Sequence, residues 1–248
     1  MEVSGSEVVA NLAGVRARLA AVSDGEGPVL IAVSKTKPPE LLQCAYDAGQ
    51  REFGENYVAE LCEKAKLMGA DVRWHFIGHL QSNKVKLLLS VPNLACIHTL
   101  DSLKLAAEVN KHAALSRPDT PLEVMVQVNT SGEESKSGCL PAECAELCSQ
   151  LVSTCPQLSL RGLMCIGKYS SSEGAADEDF ACLSACRLQV AARMQCEPSV
   201  WPPALHGQHL AIKTVHPCLQ TLALSMGMSH DFELAARAVD NAVNGVTE

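Results

Sequence analysis

The sequence predicts an α/β fold in which strands and helices alternate around a parallel sheet. Short β-branched or apolar runs alternate along the chain with longer segments of helical period. The chain has 248 residues, which fits a (β/α)₈ barrel of about 250 residues. We count seven candidate strands, so the length suits a TIM-type barrel whose eighth strand is missing.

Each element has a local signal in the sequence. The second helix is expected to begin at Pro38 and Pro39, because proline suits the first turn of a helix. Strands are predicted at residues 29–33, 52–54, 73–77, 95–99, 122–128, 158–166 and 221–225. The other helices are predicted at residues 7–22 and 57–68, and from about residues 83, 102, 141, 177 and 230.

One segment is unlike its surroundings. Residues 197–220 contain four prolines and three histidines and show neither strand nor helix period, so we expect an insertion or irregular loop there. Its histidines and Cys218 have zinc-ligand chemistry but no standard spacing, and we expect no metal site. No repeat or linker divides the chain, which predicts a single barrel domain over residues 1–248.

The composition disfavours several classes of protein. The formal net charge of −8 repels polyanions, so no nucleic-acid binding is expected. No apolar run reaches the roughly 18 residues that a membrane span needs. The acidic start lacks a secretory segment, which predicts twelve reduced cysteines and a cytoplasmic protein. Arg16 and Arg18 in the first helix leave a mitochondrial location open.

The motif VSKTKP at residues 33–38 carries the strongest chemical signal. Strand alternation puts Lys35 on the same face as Ile31 and Val33, at the carboxyl end of the first strand. Active sites of barrels lie at this end, and a desolvated amine there can form a Schiff base. A surface lysine with a buried stem is the alternative. Lys37 lies beyond the strand and is expected to be solvated.

Two further strands run into polar residues. FGEN at residues 53–56 places Asn56 where it can bind a polar ligand, or where it can cap the helix that begins at Tyr57. In WHFIGHLQ at residues 74–81, His75 is expected to be an interior histidine with a hydrogen-bond partner. His79, beyond the strand, is a candidate for ligand contact.

The motif SMGMS follows the seventh strand and leads into a helix. Ser225, Met226, Gly227, Met228 and Ser229 bring together hydroxyl groups, a glycine and backbone N–H groups. Phosphate is the ligand that this combination suits. An ordinary N-cap at Ser229 is the alternative.

Six segments resemble, in this order, the pyridoxal phosphate homeostasis proteins, also called the proline synthase co-transcribed homologues. They are VSKTKP, FGENY, WHFIGHLQ, VNTSGEESKSG, GLMCIG and LSMGMSHDF. The resemblance implies a barrel similar to the N-terminal domain of alanine racemase, with pyridoxal 5′-phosphate held as an aldimine. It also implies that Lys35 is the aldimine lysine, that Asn56 lies near the cofactor, and that residues 225–229 lie by its phosphate.

Family members look like cofactor carriers without established turnover. The resembled racemases complete their site with a second domain for which this chain has no residues, so no racemase activity is expected. The leading interpretation is therefore a non-enzymatic protein that binds pyridoxal phosphate and passes it to apo-enzymes. The alternatives are a Schiff-base lyase or aldolase-like enzyme that uses Lys35, and a defective variant that binds the cofactor weakly.

The end of the sequence departs from the family pattern. Members continue with a Gly-Ser-Thr stretch and a Val-Arg-x-Gly strand, whereas residues 236–248 here read ARAVDNAVNGVTE. The missing eighth strand predicts unpaired edges at the first and seventh strands. It also predicts weaker phosphate binding, because charge-assisted hydrogen bonds worth about 1.5–3 kcal/mol each are lost.

Overall fold

The computed structural model describes residues 3–22, 28–133, 135–167, 175–195, 222–229 and 231–238. The predicted insertion at 197–220, with its histidines and Cys218, lies outside these residues, as does the sequence after residue 238. In chain order the elements are α1 (Gly5–Val22), β1 (Ala32–Val33), α2 (Pro39–Asp47), β2 (Glu52–Glu55), α3 (Val58–Leu67), β3 (Arg73–Phe76), the 3₁₀ helix η1 (Ser82–Lys84), α4 (Val85–Leu88), β4 (Leu94–Leu100), α5 (Leu103–Ser116), β5 (Leu122–Gln127), α6 (Pro141–Thr154), β6 (Leu158–Met164), α7 (Ala175–Gln195), β7 (Ala223–Ser225) and α8 (Phe232–Ala238).

The seven strands form one parallel sheet in the order of the chain. Each strand pairs with the next from β1 to β7, which is the winding that βα units produce. The predicted α/β class and the seven strands are confirmed. Within the part of the chain that the structure describes, no eighth strand is seen and β7 does not pair with β1.

Two elements differ from their predictions by more than a shift of one or two residues at an end. The first strand was expected from residue 29, but only Ala32 and Val33 enter the ladder, opposite Phe53 and Gly54. Among the described strands, β1 stands at one edge of the sheet and pairs with β2 alone. The helix expected from about residue 83 is divided into η1 and the single turn α4.

The sheet is buried on both faces, as the parallel barrel architecture requires. Its outer face packs beneath the helices, where the rings of Phe53 and Trp74 lie 5.8 Å apart. A smaller interior cluster consists of Cys96, Met125 and Met164. Polar side chains share this interior, and they form the site described below.

Helix α1 contacts both α8 and the carboxyl end of α2. Arg18 Nε lies 2.8 Å from Glu233 Oε1, and its guanidinium lies 4.5 Å from the centre of the Phe232 ring in α8. Arg16 donates to the carbonyl of Ala48 and to Gln50 Oε1, both at 2.9 Å. None of the helices in the described ranges has the length and apolar character to cross a membrane.

Candidate functional site

Lys35 lies at the carboxyl end of β1. Ile31 and Val33 each have a methyl group 3.2 Å from the position where a Cβ of Gly54 would stand, so both point into the barrel. Lys35 lies two positions after Val33 along the chain and is half-buried. Its amine makes no hydrogen bond or ion pair with another described residue. The lysine amine at this position is therefore available for a ligand.

A buried lysine lies beneath this segment. Lys64 of α3 is 4% exposed and donates to three oxygens: the Ser34 carbonyl at 2.6 Å, Glu55 Oε1 at 2.7 Å and Glu60 Oε1 at 2.6 Å. Glu55 is fully buried and also accepts from Ser34 Oγ at 2.7 Å. Burial raises the pKa of Glu55, although the bonds from Lys64 and Ser34 act in the opposite direction. We call Ser34, Glu55, Glu60 and Lys64 the lysine clamp.

The lysine clamp holds the chain on both sides of Lys35. Lys64 binds the carbonyl of Ser34, the preceding residue. The N–H of Thr36, the following residue, donates to Glu60 Oε1 at 2.6 Å. Thr36 has a φ of 62°, which is unusual for a residue with a branched side chain. Two contacts from α3 thus stabilise the turn that presents Lys35.

Asn56 follows β2 and does not cap the next helix. The N-cap of α3 is Tyr57 without a side-chain cap bond, so the capping alternative was wrong. Asn56 Oδ1 is buried and has no hydrogen-bond partner within the described residues. A Cβ on Gly78 would stand 2.0 Å from the Asn56 carbonyl oxygen, so only glycine fits beside this backbone. A buried amide oxygen without a partner can accept a hydrogen bond from a donor group of a ligand.

His79 connects three loops at the same end of the sheet. Its side chain is exposed, with Nδ1 3.1 Å from Ser137 Oγ and 3.9 Å from Asp101 Oδ2. These partners follow β5 and β4, whereas His79 follows β3. Lys136, next to Ser137, donates to the carbonyl of Gly167 at 2.7 Å. The ends of β3, β4, β5 and β6 are joined through these contacts.

The SMGMS segment divides between the interior and the surface. Ser225 is 1% exposed, and its Oγ lies 2.9 Å from His98 Nδ1 inside the barrel. Met226 is also 1% exposed and belongs to the main apolar core. The side chain of Met226 is therefore committed to packing, and its backbone remains as the part that can serve a ligand.

The rest of this segment forms a turn before α8. Gly227 has a φ of +94°, a conformation that glycine adopts without strain. The N–H of Met228 donates to Asp231 Oδ1 at 2.5 Å, so this candidate phosphate donor already has an acceptor. Ser229 is exposed and lies three residues before the start of α8 at Phe232.

A row of hydrogen bonds crosses the barrel interior to Ser225. Glu52 Oε2 lies 2.6 Å from His75 Nε2, His75 Nδ1 lies 2.8 Å from His98 Nε2, and His98 Nδ1 lies 2.9 Å from Ser225 Oγ. Glu52 Oε1 also contacts Arg73 Nε at 2.9 Å. We call Glu52, His75, His98 and Ser225 the interior chain. His75 is the interior histidine with a partner that the sequence predicts, whereas Glu52, His98 and Lys64 were missed.

Cys96 lies beside the two histidines, and its Sγ and their ring nitrogens lie within 4.8 Å of one another. Burial raises the pKa of the Cys96 thiol well above its usual range. The bonded ring nitrogens are 2.8 Å apart, whereas two nitrogens on a tetrahedral zinc with bonds of about 2.0–2.1 Å stand about 3.4 Å apart. The geometry is that of hydrogen-bonded imidazoles.

Comparisons with known proteins cover most of the chain. Residues 6–201 match the family model described as alanine racemase, N-terminal domain. The pyridoxal phosphate homeostasis protein of Mus musculus is 43% identical over 215 residues, which are 84% of this chain and 70% of that protein. The protein of the same name from Schizosaccharomyces pombe is 41% identical over 230 residues, which are 92% of this chain and 86% of that protein.

A solved structure extends the similarity to the fold. PipY of Synechococcus elongatus, determined with PLP bound, superimposes with a TM-score of 0.71 and 29% sequence identity. The match covers 96% of this chain and 97% of PipY. The fold of this chain is therefore shared with PipY over nearly the whole length of both proteins.

Proposed function

Since this chain belongs to the family of pyridoxal phosphate homeostasis proteins, we propose that it binds pyridoxal 5′-phosphate and serves in the intracellular homeostasis of that cofactor. Two relatives with more than 40% identity carry the family name. PipY, at 29% identity, has been determined with PLP bound. The cofactor would lie at the carboxyl ends of the strands, where barrels of this architecture place their ligands.

The single observation that carries the proposal is the position of Lys35. Its amine has no partner in the described residues, while the lysine clamp fixes the backbone on both sides of it. When bound, pyridoxal phosphate supplies an aldehyde that a lysine amine can attack. Lys35 is therefore the residue that we assign to covalent attachment.

The other candidate residues fit the polar groups of this cofactor. The buried Oδ1 of Asn56 lacks a donor, and the cofactor ring carries groups that can supply one. Ser225 and the turn at Gly227 offer a hydroxyl and backbone N–H groups to the phosphate. His79, which is exposed at the rim, is placed to contact a ligand that enters from solvent.

The role that we propose is that of a carrier without catalytic turnover. The relatives are named for homeostasis, and apo-enzymes that need the cofactor are its proposed recipients. We place this role in the cytoplasm, where thiols are kept reduced. The ten cysteines in the described residues are free.

The test compares two lysines of the same motif. The purified protein, Lys35→Ala and Lys37→Ala are loaded with pyridoxal phosphate, passed through gel filtration, and scanned for visible absorbance. We expect Lys35→Ala to lose the bound band and Lys37→Ala to keep most of it. Borohydride reduction followed by peptide mass spectrometry should place the cofactor on Lys35.

Two results would count against the proposal. An unchanged spectrum in Lys35→Ala would show that another residue carries the cofactor. Turnover of a carbonyl substrate without added cofactor, lost in Lys35→Ala, would instead favour a Schiff-base lyase or aldolase.

A further inference from the structure

The interior chain links the candidate phosphate site to the opposite end of the barrel. Glu52 begins β2, whereas Ser225 ends β7, and two histidine rings bridge them with bonds of 2.6, 2.8 and 2.9 Å. His98 is 1% exposed and His75 8% exposed. Both nitrogens of both rings are used, so as long as both rings are neutral the direction of one hydrogen bond determines the direction of the others.

In the ligand-free protein all three hydrogen bonds of the interior chain can form while both histidines are neutral. Ser225 donates to His98 Nδ1, His98 Nε2–H donates to His75 Nδ1, and His75 Nε2–H donates to the Glu52 carboxylate. Each neutral ring then has one donor and one acceptor nitrogen. In this direction the hydroxyl proton of Ser225 is committed to His98 and cannot serve a ligand.

A phosphate group beside Ser225 requires the opposite direction. Ser225 can donate to an anion only if its oxygen accepts from His98 Nδ1–H. His98 Nε2 must then accept from His75 Nδ1–H, while His75 Nε2–H still donates to Glu52. His75 becomes an imidazolium, and His98 stays neutral as its other tautomer.

We propose that binding of a phosphate monoester next to Ser225 is coupled to the uptake of one proton by the interior chain, which turns the Ser225 hydroxyl toward the ligand. This inference rests on the proposed function and specifies how its phosphate site is controlled. The proton comes from water, and only N–H and O–H bonds change. The side chains of the interior chain carry three N–H and O–H protons before binding and four afterwards.

The surroundings favour His75 over His98 as the charged ring. The charged residues on the neighbouring strands are Glu52 on β2, Arg73 on β3, Glu123 on β5 and Arg161 on β6, two acids and two bases, all of which act on nearby Cys96. His75 contacts the carboxylate of Glu52 directly. Burial, followed by the charge of His75, lowers the pKa of His98 well below its usual value.

Calorimetry can count the proton. The probe is pyridoxine 5′-phosphate, which has the phosphate but no aldehyde and so cannot react with Lys35. Titration at pH 8 in buffers of different ionisation enthalpy gives the number of protons taken up per ligand bound. We expect the wild-type protein to take up about one proton more than Ser225→Ala. A pH rise of one unit should weaken its binding about tenfold more than that of Ser225→Ala.

The control is a histidine–carboxylate pair outside the barrel. His112 Nε2 lies 3.0 Å from Glu108 Oε1 on α5, and His112→Gln should keep the wild-type proton uptake. Nitrogen-15 NMR of the wild-type protein gives a second readout that needs no variant. On addition of the probe, His98 should change from the Nε2–H to the Nδ1–H tautomer, and both nitrogens of His75 should become protonated.

The outcomes separate this inference from the proposed function. If the probe binds with equal proton uptake in wild type and Ser225→Ala, or if the His98 tautomer stays unchanged, the inference is wrong and cofactor binding stands. If the wild-type protein binds neither the probe nor pyridoxal phosphate, both fail. Stoichiometric binding of added Zn²⁺ that is lost in Cys96→Ala would also overturn the inference, because the histidines would then be metal ligands.

Discussion

Replacing Lys64 with methionine removes the positive charge at the centre of the lysine clamp. Glu55 is fully buried, and Lys64 Nζ at 2.7 Å is its cationic partner. Breaking a buried ion pair from one side costs about 3–5 kcal/mol, because the remaining charge is left uncompensated. For a chain of this size that corresponds to a fall in melting temperature of about 6–20 °C.

The effect should depend on pH in a defined direction. Burial already raises the pKa of Glu55 above its ordinary value, and loss of Lys64 raises it further. A carboxyl group with a raised folded-state pKa is destabilising above its unfolded pKa of about 4.3 and harmless below it. The loss of stability in Lys64→Met should therefore be larger at pH 8 than at pH 5.

The assay is thermal and urea denaturation followed by far-UV circular dichroism at both pH values. Lys66→Met is the matched control, because Lys66 lies two residues away on α3 and pairs with Glu63 at the surface. The double variant Glu55→Gln, Lys64→Met should recover part of the stability, since no charge is then buried. If Lys64→Met melts no lower than Lys66→Met, the clamp does not stabilise the fold and the reasoning is wrong.

Three further predictions concern pH, packing and activity. At a pH below about 6.5, unfolding allows the buried His98 to take up a proton, because its pKa is lowered in the folded protein. The free energy of unfolding, measured by urea titration, should therefore decrease by up to about 1.4 kcal/mol for each pH unit below that value. His98→Gln should flatten this slope and His112→Gln should not. Gly78→Ala, whose Cβ would stand 2.0 Å from the Asn56 carbonyl, should lower the melting temperature strongly, whereas Gly14→Ala in α1 meets no atom within 4 Å and should stabilise by up to about 1 kcal/mol. The pure protein should not racemise alanine in a chiral chromatographic assay, and racemisation would contradict a carrier role.

Local patterns were sufficient for the order of the elements and for their positions within a few residues. Apolar runs bounded by glycine or polar residues indicated the longer strands β4, β5 and β6, because a strand buried on both faces is mainly apolar along its length. Pro38 and Pro39 marked the start of α2, since their fixed φ suits a first turn. The sequence also predicts that Lys35, Asn56, His79 and Ser225 lie near strand ends, because strand ends are encoded locally.

Only the tertiary structure showed how the polar residues are paired. Lys64 has the sequence pattern of an ordinary surface helix residue, yet it is buried because α3 packs against β2 and β3 and its amine reaches the carbonyl of Ser34 after β1. His98 and Ser225 are 127 positions apart and meet because the curved sheet brings β4 and β7 across one interior. The one sequence signal of these interior hydrogen bonds was His98 within the apolar run LACIHTL, since a buried imidazole needs a hydrogen-bond partner. Its partner could not be identified locally, because hydrogen bonds across a barrel depend on the curvature and stagger of all its strands.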